Sequence, residues 1–97
     1  MYKNLDPLLH APLRLAIVSY LMTHSKASFK ELKSDTAATS GDIRVQLKKL
    51  EEAGYLRIEK SFLDNYPLTQ VRLTKKGIKA FEEYVKALKK YIFKPPS

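Results

Sequence analysis

The side chains best suited to binding chemistry lie together in one short segment, residues 39–53. Residues three and four apart are neighbours on an α-helix, so a helix here would place Ile43, Leu47 and Leu50 on one apolar face. The other faces would carry Thr39, Ser40, Asp42, Arg44, Val45, Lys48 and Lys49. Hydroxyl, guanidinium and ammonium groups bind phosphate oxygens and base edges. The segment therefore predicts an amphipathic helix whose outer face is a candidate surface for duplex DNA.

Two positions on this outer face are candidates for reading base sequence. The fork of Arg44 can bond O6 and N7 of one guanine together, and a phosphate contact is the alternative. Val45 is an apolar side chain on a polar face, which contact with a thymine methyl group would explain. The alternative for Val45 is a valine that is simply tolerated on the surface.

The other polar side chains of the segment suit backbone contacts or helix capping. Thr39 and Ser40 lie where the helix would begin, so they can donate to a phosphate, cap the helix, or do both. Asp42 could accept a bond from a cytosine amine, but we favour a capping role because nearby phosphates repel a carboxylate. Lys48 and Lys49 are expected to contact phosphates, which adds affinity and salt dependence rather than specificity.

Start signals predict two further helices before this segment. Asp6–Pro7 suits a short first turn, and Pro12 suits the first position of a longer main helix. Residues 28–31 read Ser-Phe-Lys-Glu, which is a capping box that opens a short helix to about Asp35. Because a tight turn separates this short helix from the next one, residues 28–53 are predicted to form a helix-turn-helix.

A two-stranded hairpin and a last helix follow. Gly54 falls where a left-handed residue ends a helix. Alternating apolar side chains predict strands near 56–59 and 70–74, so that the hairpin occupies 55–74. A capping threonine then starts a helix over 74–93. The fold class is therefore mainly α with a small β-hairpin, in the order three helices, two strands and one helix.

The hairpin offers few cations for DNA. Lys60 and Arg72 are its candidate contacts with the backbone or the minor groove. Asn65 and Tyr66 lie near its turn and are poorly equipped for phosphate binding. We therefore expect the 39–53 helix to carry most of the specificity.

The last helix carries more apolar surface than one small domain usually needs. Its apolar residues step by three and four, which makes a short heptad seam. With the N-terminal segment, the predicted dimer interface comprises Tyr2, Leu5, Leu8, Leu9, Ile78, Phe81, Tyr84, Val85, Leu88, Tyr91 and Ile92. The alternative is a helix that only covers its own domain. A two-fold dimer would set the two 39–53 helices about 34 Å apart, which matches a pseudo-palindromic DNA site.

The charge of the chain favours a polyanionic partner. The formal net charge is +8 and the pI is about 9.7. The alternative is a lysine-rich solvated surface, since residues 75–97 hold seven lysines against two glutamates. Contact with DNA and solubility of the last helix can both contribute.

Several function classes have no support in the sequence. There is no cysteine, and His10 and His24 lie fourteen residues apart, so both histidines are expected to be buried or capping groups rather than ligands. No catalytic triad, phosphate-binding glycine loop or pair of carboxylates suggests an enzyme, a metal or a cofactor. No signal peptide or apolar run of about 20 residues is present, so no membrane contact and a cytoplasmic location are expected.

Blocks of residues across nearly the whole chain resemble the small winged helix-turn-helix transcriptional regulators of the MarR/ArsR-like group. The blocks at the start are 5–8, 10–17 and 29–33. Residues 39–43 precede the block KKLEEAGYL at 48–56, and the later blocks are 73–77, which reads LTKKG, and 81–85. The blocks KKLEEAGYL at 48–56 and LTKKG at 73–77 are the most specific for the class. The chain is thus interpreted as one winged-helix domain spanning residues 1–97.

This resemblance implies a homodimer that binds double-stranded promoter DNA, often as a repressor, with the hairpin as its wing. Members commonly have a basic wing, whereas Asn65, Tyr66 and Leu68 stand here where arginine or lysine is expected. The cysteine and histidine clusters of metal-sensing relatives are absent from the sequence. A small-molecule effector cannot be assigned from the sequence. The alternative function is a winged-helix protein-interaction module, which the weakly basic wing favours.

Overall fold

The computed structural model describes residues 5–93 and has seven elements of secondary structure. They are helix α1 (Pro12–Thr23), strand β1 (Ala27–Ser28), helices α2 (Phe29–Thr36) and α3 (Ser40–Glu52), strands β2 (Leu56–Leu63) and β3 (Tyr66–Leu73), and helix α4 (Lys75–Ile92). The three strands form one antiparallel sheet in the order β1-β3-β2. The mainly helical winged-helix fold that the sequence predicts is confirmed.

Side chains cap three of the helices where the sequence predicts them. At α2, Ser28 Oγ accepts a bond from the Glu31 backbone at 3.0 Å, and the Glu31 carboxylate accepts from the Ser28 backbone at 3.2 Å. Thr39 caps α3 by accepting from the Asp42 amide at 3.1 Å. Thr74 caps α4 in the same way. These bonds satisfy amides that a helix leaves unpaired, and so they fix where each helix begins.

The sheet differs from the sequence prediction in two respects. The sequence predicts only two strands, but a third strand, β1, forms where Ala27 pairs with Val71 and Ser28 with Gln70. The two strands of the hairpin are also longer than predicted, because they continue to the turn at Asp64–Asn65, where both residues have positive φ angles (50° and 69°). Two residues are too few to show a strand periodicity, and the outer ends of β2 and β3 do not alternate between polar and apolar residues.

The core lies between the helices and the inner face of the sheet. Its members come from every helix, from all three strands and from the segment before α1: Leu9, Ile17, Val18, Leu21, Ala27, Leu32, Ile43, Leu47, Leu50, Leu56, Val71 and Tyr84. The predicted inner face of α3 is therefore buried, as its spacing requires.

A corner after α3 fixes the hairpin and α4 relative to that helix. Gly54 has a φ of +80°, and the Gly54 and Tyr55 amides donate to carbonyls of the last turn of α3 at 2.9 Å each. This left-handed ending confirms the predicted role of Gly54. Thr74 donates from its hydroxyl to the Gly54 carbonyl at 2.6 Å and from its amide to the Tyr55 carbonyl at 3.0 Å. Gly77 passes so close to the same corner that an added Cβ would lie 2.0 Å from the Tyr55 carbonyl oxygen.

The segment before α1 is tied to the rest of the domain by polar contacts. The Asp6 carbonyl accepts bonds from the amides at positions 9 and 10, which makes a short turn. The Tyr55 hydroxyl donates to the Asp6 carboxylate. Burial, together with this bond and the carboxylate charge, raises the pKa of Tyr55 to about 12. Arg14 donates to the Leu8 carbonyl and to the Gln46 side chain, both at 2.6 Å, and so links this segment to α3.

Candidate nucleic-acid interface

A groove with a volume of about 540 Å³ runs between α3, the start of α2 and the hairpin. Four of its lining side chains are cations: Lys30, Arg44, Lys48 and Lys60. Its apolar walls include Phe29, Leu47 and Ile58, and none of the described residues that line it is acidic. A concave surface with this charge attracts polyanions and focuses the electrostatic field on them.

The outer face of α3 is open to solvent, as the sequence predicts. Thr39, Asp42, Arg44, Lys48 and Lys49 are exposed, and Ser40 is half-buried. Val45 has half of its surface exposed although it is apolar (50%). The Asp42 amide takes part in the Thr39 cap, and its carboxylate stands in the first turn, where the helix dipole favours a negative charge.

Arg44 makes one specific contact in this structure. Its guanidinium carbon lies 5.2 Å from the centre of the Phe29 ring, which belongs to the first turn of α2. A cation over an aromatic face at this distance is attracted by the ring. This contact places the Arg44 guanidinium at the mouth of the groove.

The two candidate cations of the hairpin lie on opposite faces. Lys60 pairs with Thr69 and lines the groove beside α3. Arg72 pairs with Arg57, bonds Glu59 at 3.5 Å, and faces a second groove on the other side of the sheet. Side chains alternate between faces along a strand, so Lys60 and Arg72 cannot share one. The structure brings Lys60 to the cationic groove but does not bring Arg72 there.

The outer end of the hairpin is apolar instead of basic. Phe62, Leu63 and Tyr66 are exposed by 76%, 61% and 75%. The sequence prediction noted the missing cations near the turn but missed the apolar character of Phe62 and Leu63. Apolar side chains concentrated on an exposed tip are typical of a contact surface.

Sequence reasoning also missed two residues of the groove, Phe29 and Lys30. Both stand in the first turn of α2, directly after the Ser28 cap. The capping box could have placed them at a helix start, but no local pattern shows that this turn faces α3.

The comparison with protein families agrees with this geometry. Residues 13–92 match the family model described as a winged helix DNA-binding domain. The chain belongs to this family. An uncharacterized protein of Methanocaldococcus jannaschii is 33% identical over 72 residues, which cover 74% of this chain and 78% of that relative. In this winged-helix protein α3 occupies the position of the recognition helix of the fold, and the hairpin of β2 and β3 occupies that of the wing.

Solved structures of transcriptional regulators share the fold. The transcriptional regulator homologue of Pyrococcus horikoshii OT3 has a TM-score of 0.84 and 28% identity, over 89% of this chain and 85% of that chain. A mutant MarR of Escherichia coli, solved in complex with operator DNA, has a TM-score of 0.77 and 18% identity. That match covers 94% of this chain and 64% of the MarR chain, and at this identity it shows the fold alone. The predicted winged-helix family is thus confirmed, and its fold is shared with a MarR structure.

The apolar surface of α4 in this winged-helix chain is divided between two roles. Gly77, Tyr84 and Ala87 are buried against the domain. Ile78, Tyr91 and Ile92 remain exposed, by 38%, 40% and 63%, and the half-buried residues Phe81, Val85 and Leu88 lie between the two groups. A stripe of α4 therefore remains uncovered in the single chain.

Two residues of the predicted dimer interface need correction. Leu9 is fully buried and Tyr84 is 3% exposed, so neither has surface to offer a partner. The Tyr84 hydroxyl instead lies 2.9 Å from Nδ1 of His10, and this contact links α4 to the N-terminal segment. Leu5 and Leu8 are half-buried against the core, and Tyr2 lies outside the described residues.

Both histidines are exposed, so the expectation of burial is wrong, whereas His24 does take a capping position at the end of α1. Nδ1 of His24 lies 2.9 Å from the Tyr20 carbonyl at the end of α1, and its ring stacks on Tyr20 at 3.9 Å. Within residues 5–93, no group of three or more histidine, cysteine or acidic side chains is placed to hold a metal ion. No helix in that part of the chain is long and apolar enough to cross a membrane.

Proposed function

We propose that this protein is a sequence-specific, double-stranded-DNA-binding transcriptional regulator that acts as a homodimer on a pseudo-palindromic operator, as a repressor. The observation that carries this proposal is the cationic groove beside an exposed recognition helix. The acidic side chains of α3 lie outside this groove. An operator is duplex DNA, so the proposed place of action is the cytoplasm.

The recognition helix would enter the major groove with its N-terminal half foremost. Arg44 and Val45 would then face base edges, the first as a bidentate donor to guanine and the second beside a thymine methyl group. Thr39 and Ser40 would donate to a phosphate at the start of the helix. This arrangement uses the exposed face of α3 and leaves its buried face in the core.

Phosphate contacts would come from both sides of the groove. Lys30 lies on the α2 side, Lys48 on the recognition helix, and Lys60 on the wing. Lys49 is exposed on α3, outside the groove lining. Each phosphate neutralised releases counterions, so these lysines would set the affinity and its dependence on salt. Arg72 faces away from the groove and is therefore not one of these contacts.

The uncovered stripe of α4 supports a homodimer. Ile78, Val85 and Ile92 repeat every seven residues, which suits a helix that packs along a partner helix. A two-fold axis there would present two recognition helices to half-sites about one helical turn apart. A dimer that covers a promoter in this way would block transcription, which is the basis for proposing a repressor.

In-vitro selection from a random duplex pool at about 150 mM salt tests the proposal. We expect a motif of two inverted half-sites about 10–10.5 base pairs apart, centre to centre. Arg44→Ala should relax the base preference at one position of each half-site and cost about 1–3 kcal/mol. Recovery of no motif, with only weak salt-sensitive binding, would contradict a sequence-specific regulator.

A second candidate function is a protein-interaction module, and the apolar wing tip favours it. Phe62, Leu63 and Tyr66 are suited to an apolar protein partner more than to phosphates. Binding to such a partner would change little with salt, whereas binding to DNA falls steeply. The salt dependence measured on a mixed pool of duplex DNA therefore separates the two functions.

A further inference from the structure

Arg44, the candidate base reader, is supported by a second side chain. Its guanidinium carbon lies over the Phe29 ring, 5.2 Å from the ring centre. We propose that Phe29 is a positioning residue that orients Arg44 for base reading, and this inference rests on the proposed function. Phe29 would touch no base itself, so its effect on DNA would pass through Arg44.

The backbone around Phe29 is held in place by the residues on both sides of it. Ser28, the residue before it, caps α2 and also pairs with Gln70 of β3. Glu31 completes the capping box on the other side. The ring packs against the core as a half-buried side chain. The contact with Phe29 therefore places Arg44 next to the sheet from which the wing extends.

Orientation matters more for a base contact than for a phosphate contact. A bidentate bond to guanine requires the guanidinium plane to meet the base edge, whereas a phosphate accepts a cation from many directions. An exposed arginine otherwise samples many rotamers and loses this freedom on binding. Lys30, Lys48 and Lys60 also repel the guanidinium across the groove, and the negative face of the ring offsets part of this repulsion.

A double-mutant cycle between Phe29→Leu and Arg44→Ala tests the inference. Leucine keeps an apolar side chain but removes the aromatic face. Phe29→Leu should weaken binding to the selected motif roughly two- to five-fold and leave binding to a scrambled duplex of equal length unchanged. In the Arg44→Ala background, Phe29→Leu should cause no further loss of binding. Phe29→Tyr keeps the aromatic face, so it should bind the motif as tightly as the wild type. The salt slope should not change, because the charge of Arg44 is kept.

A measurement on the free protein tests the contact without DNA. In the nuclear magnetic resonance spectrum, the side-chain protons of Arg44 should carry a ring-current shift in the wild type that Phe29→Leu abolishes. Lys33→Gln is the matched control, since it changes an exposed lysine of α2 outside the groove lining and leaves the ring in place. An Arg44 signal that is the same in Phe29→Leu and the wild type would overturn the inference.

The binding results separate this inference from the proposed function. Equal losses on both duplexes, with a lower melting temperature, would mean that Phe29 only supports the fold. Tighter binding by Phe29→Leu would mean that the ring withholds Arg44 from DNA. Either result, or a loss that persists without Arg44, overturns the positioning role while the regulator remains. A wild-type chain that selects no motif overturns the proposed function and the positioning role with it.

Discussion

Gly77→Ala should destabilise the domain more than the same replacement at either of its other two glycines. The new Cβ would lie 2.0 Å from the Tyr55 carbonyl oxygen and 2.9 Å from its carbonyl carbon. Both are backbone atoms of the corner between α3 and β2, so no flexible side chain can move aside. The first turn of α4 must therefore shift away from the corner.

The expected cost follows from these distances. A carbon and an oxygen that are not bonded need a separation of at least about 3.3 Å, so α4 must move by more than 1 Å. Overpacking of this kind costs about 1–3 kcal/mol, and the better helix propensity of alanine returns up to about 1 kcal/mol. A movement of this size also strains the bonds from Thr74 to Gly54 and Tyr55. We expect a net loss of about 2 kcal/mol, or a melting temperature lower by roughly 8–16 °C.

Thermal unfolding at one fixed protein concentration measures this loss. Gly41→Ala is the matched control, because nothing lies within 4 Å of the Cβ it would add and its place in α3 favours alanine. It should raise the stability by up to about 1 kcal/mol. The reasoning is refuted if Gly77→Ala is as stable as the wild type, or if both alanine variants behave alike.

Three further predictions concern the wing, the dimer and the N-terminal segment. Lys60→Gln should lower the log–log salt slope of DNA binding by about 0.9, whereas Arg72→Gln should leave it unchanged; equal effects would show that both faces of the wing contact DNA. Ile92→Glu should give a monomer by sedimentation that still unfolds cooperatively, since this side chain is 63% exposed in the single chain; an intact dimer would contradict the α4 interface. Burial, with the bond to Asp6, raises the pKa of Tyr55 to about 12, so ionisation of Tyr55 should cost the fold stability as pH rises from about 10 to 12. Tyr55→Phe should remove this alkaline loss, as followed by unfolding at several pH values.

Local chemistry made the helix-turn-helix predictable from the sequence. Ser28 and Thr39 cap helices through amides only three residues away, and Gly54 ends α3 through carbonyls of the preceding turn. The inner face of α3 follows from the spacing of Ile43 and Leu47 alone. These features depend on residues within one or two helical turns, so they can be predicted from the local sequence.

The composition of the groove depended on contacts that are distant in sequence. Phe29 meets Arg44 only because α2 packs against α3, and Lys60 joins them through the strand pairing of the wing. The structure places Arg72 away from this groove, because its register with β2 sets it opposite Arg57, on the other face of the sheet from Lys60. That register follows from the turn at Asp64–Asn65, which closes the hairpin.

The sequence by itself determined that α4 is amphipathic and more apolar than a small domain usually needs. Only the tertiary structure decided which part of this apolar surface is already used. Tyr84 turns inward and meets His10, and Leu9 is buried in the core, while Ile78 and Ile92 remain uncovered. The physical reason is that periodicity fixes which residues share a helix face, whereas burial depends on neighbours that the folded chain brings from elsewhere.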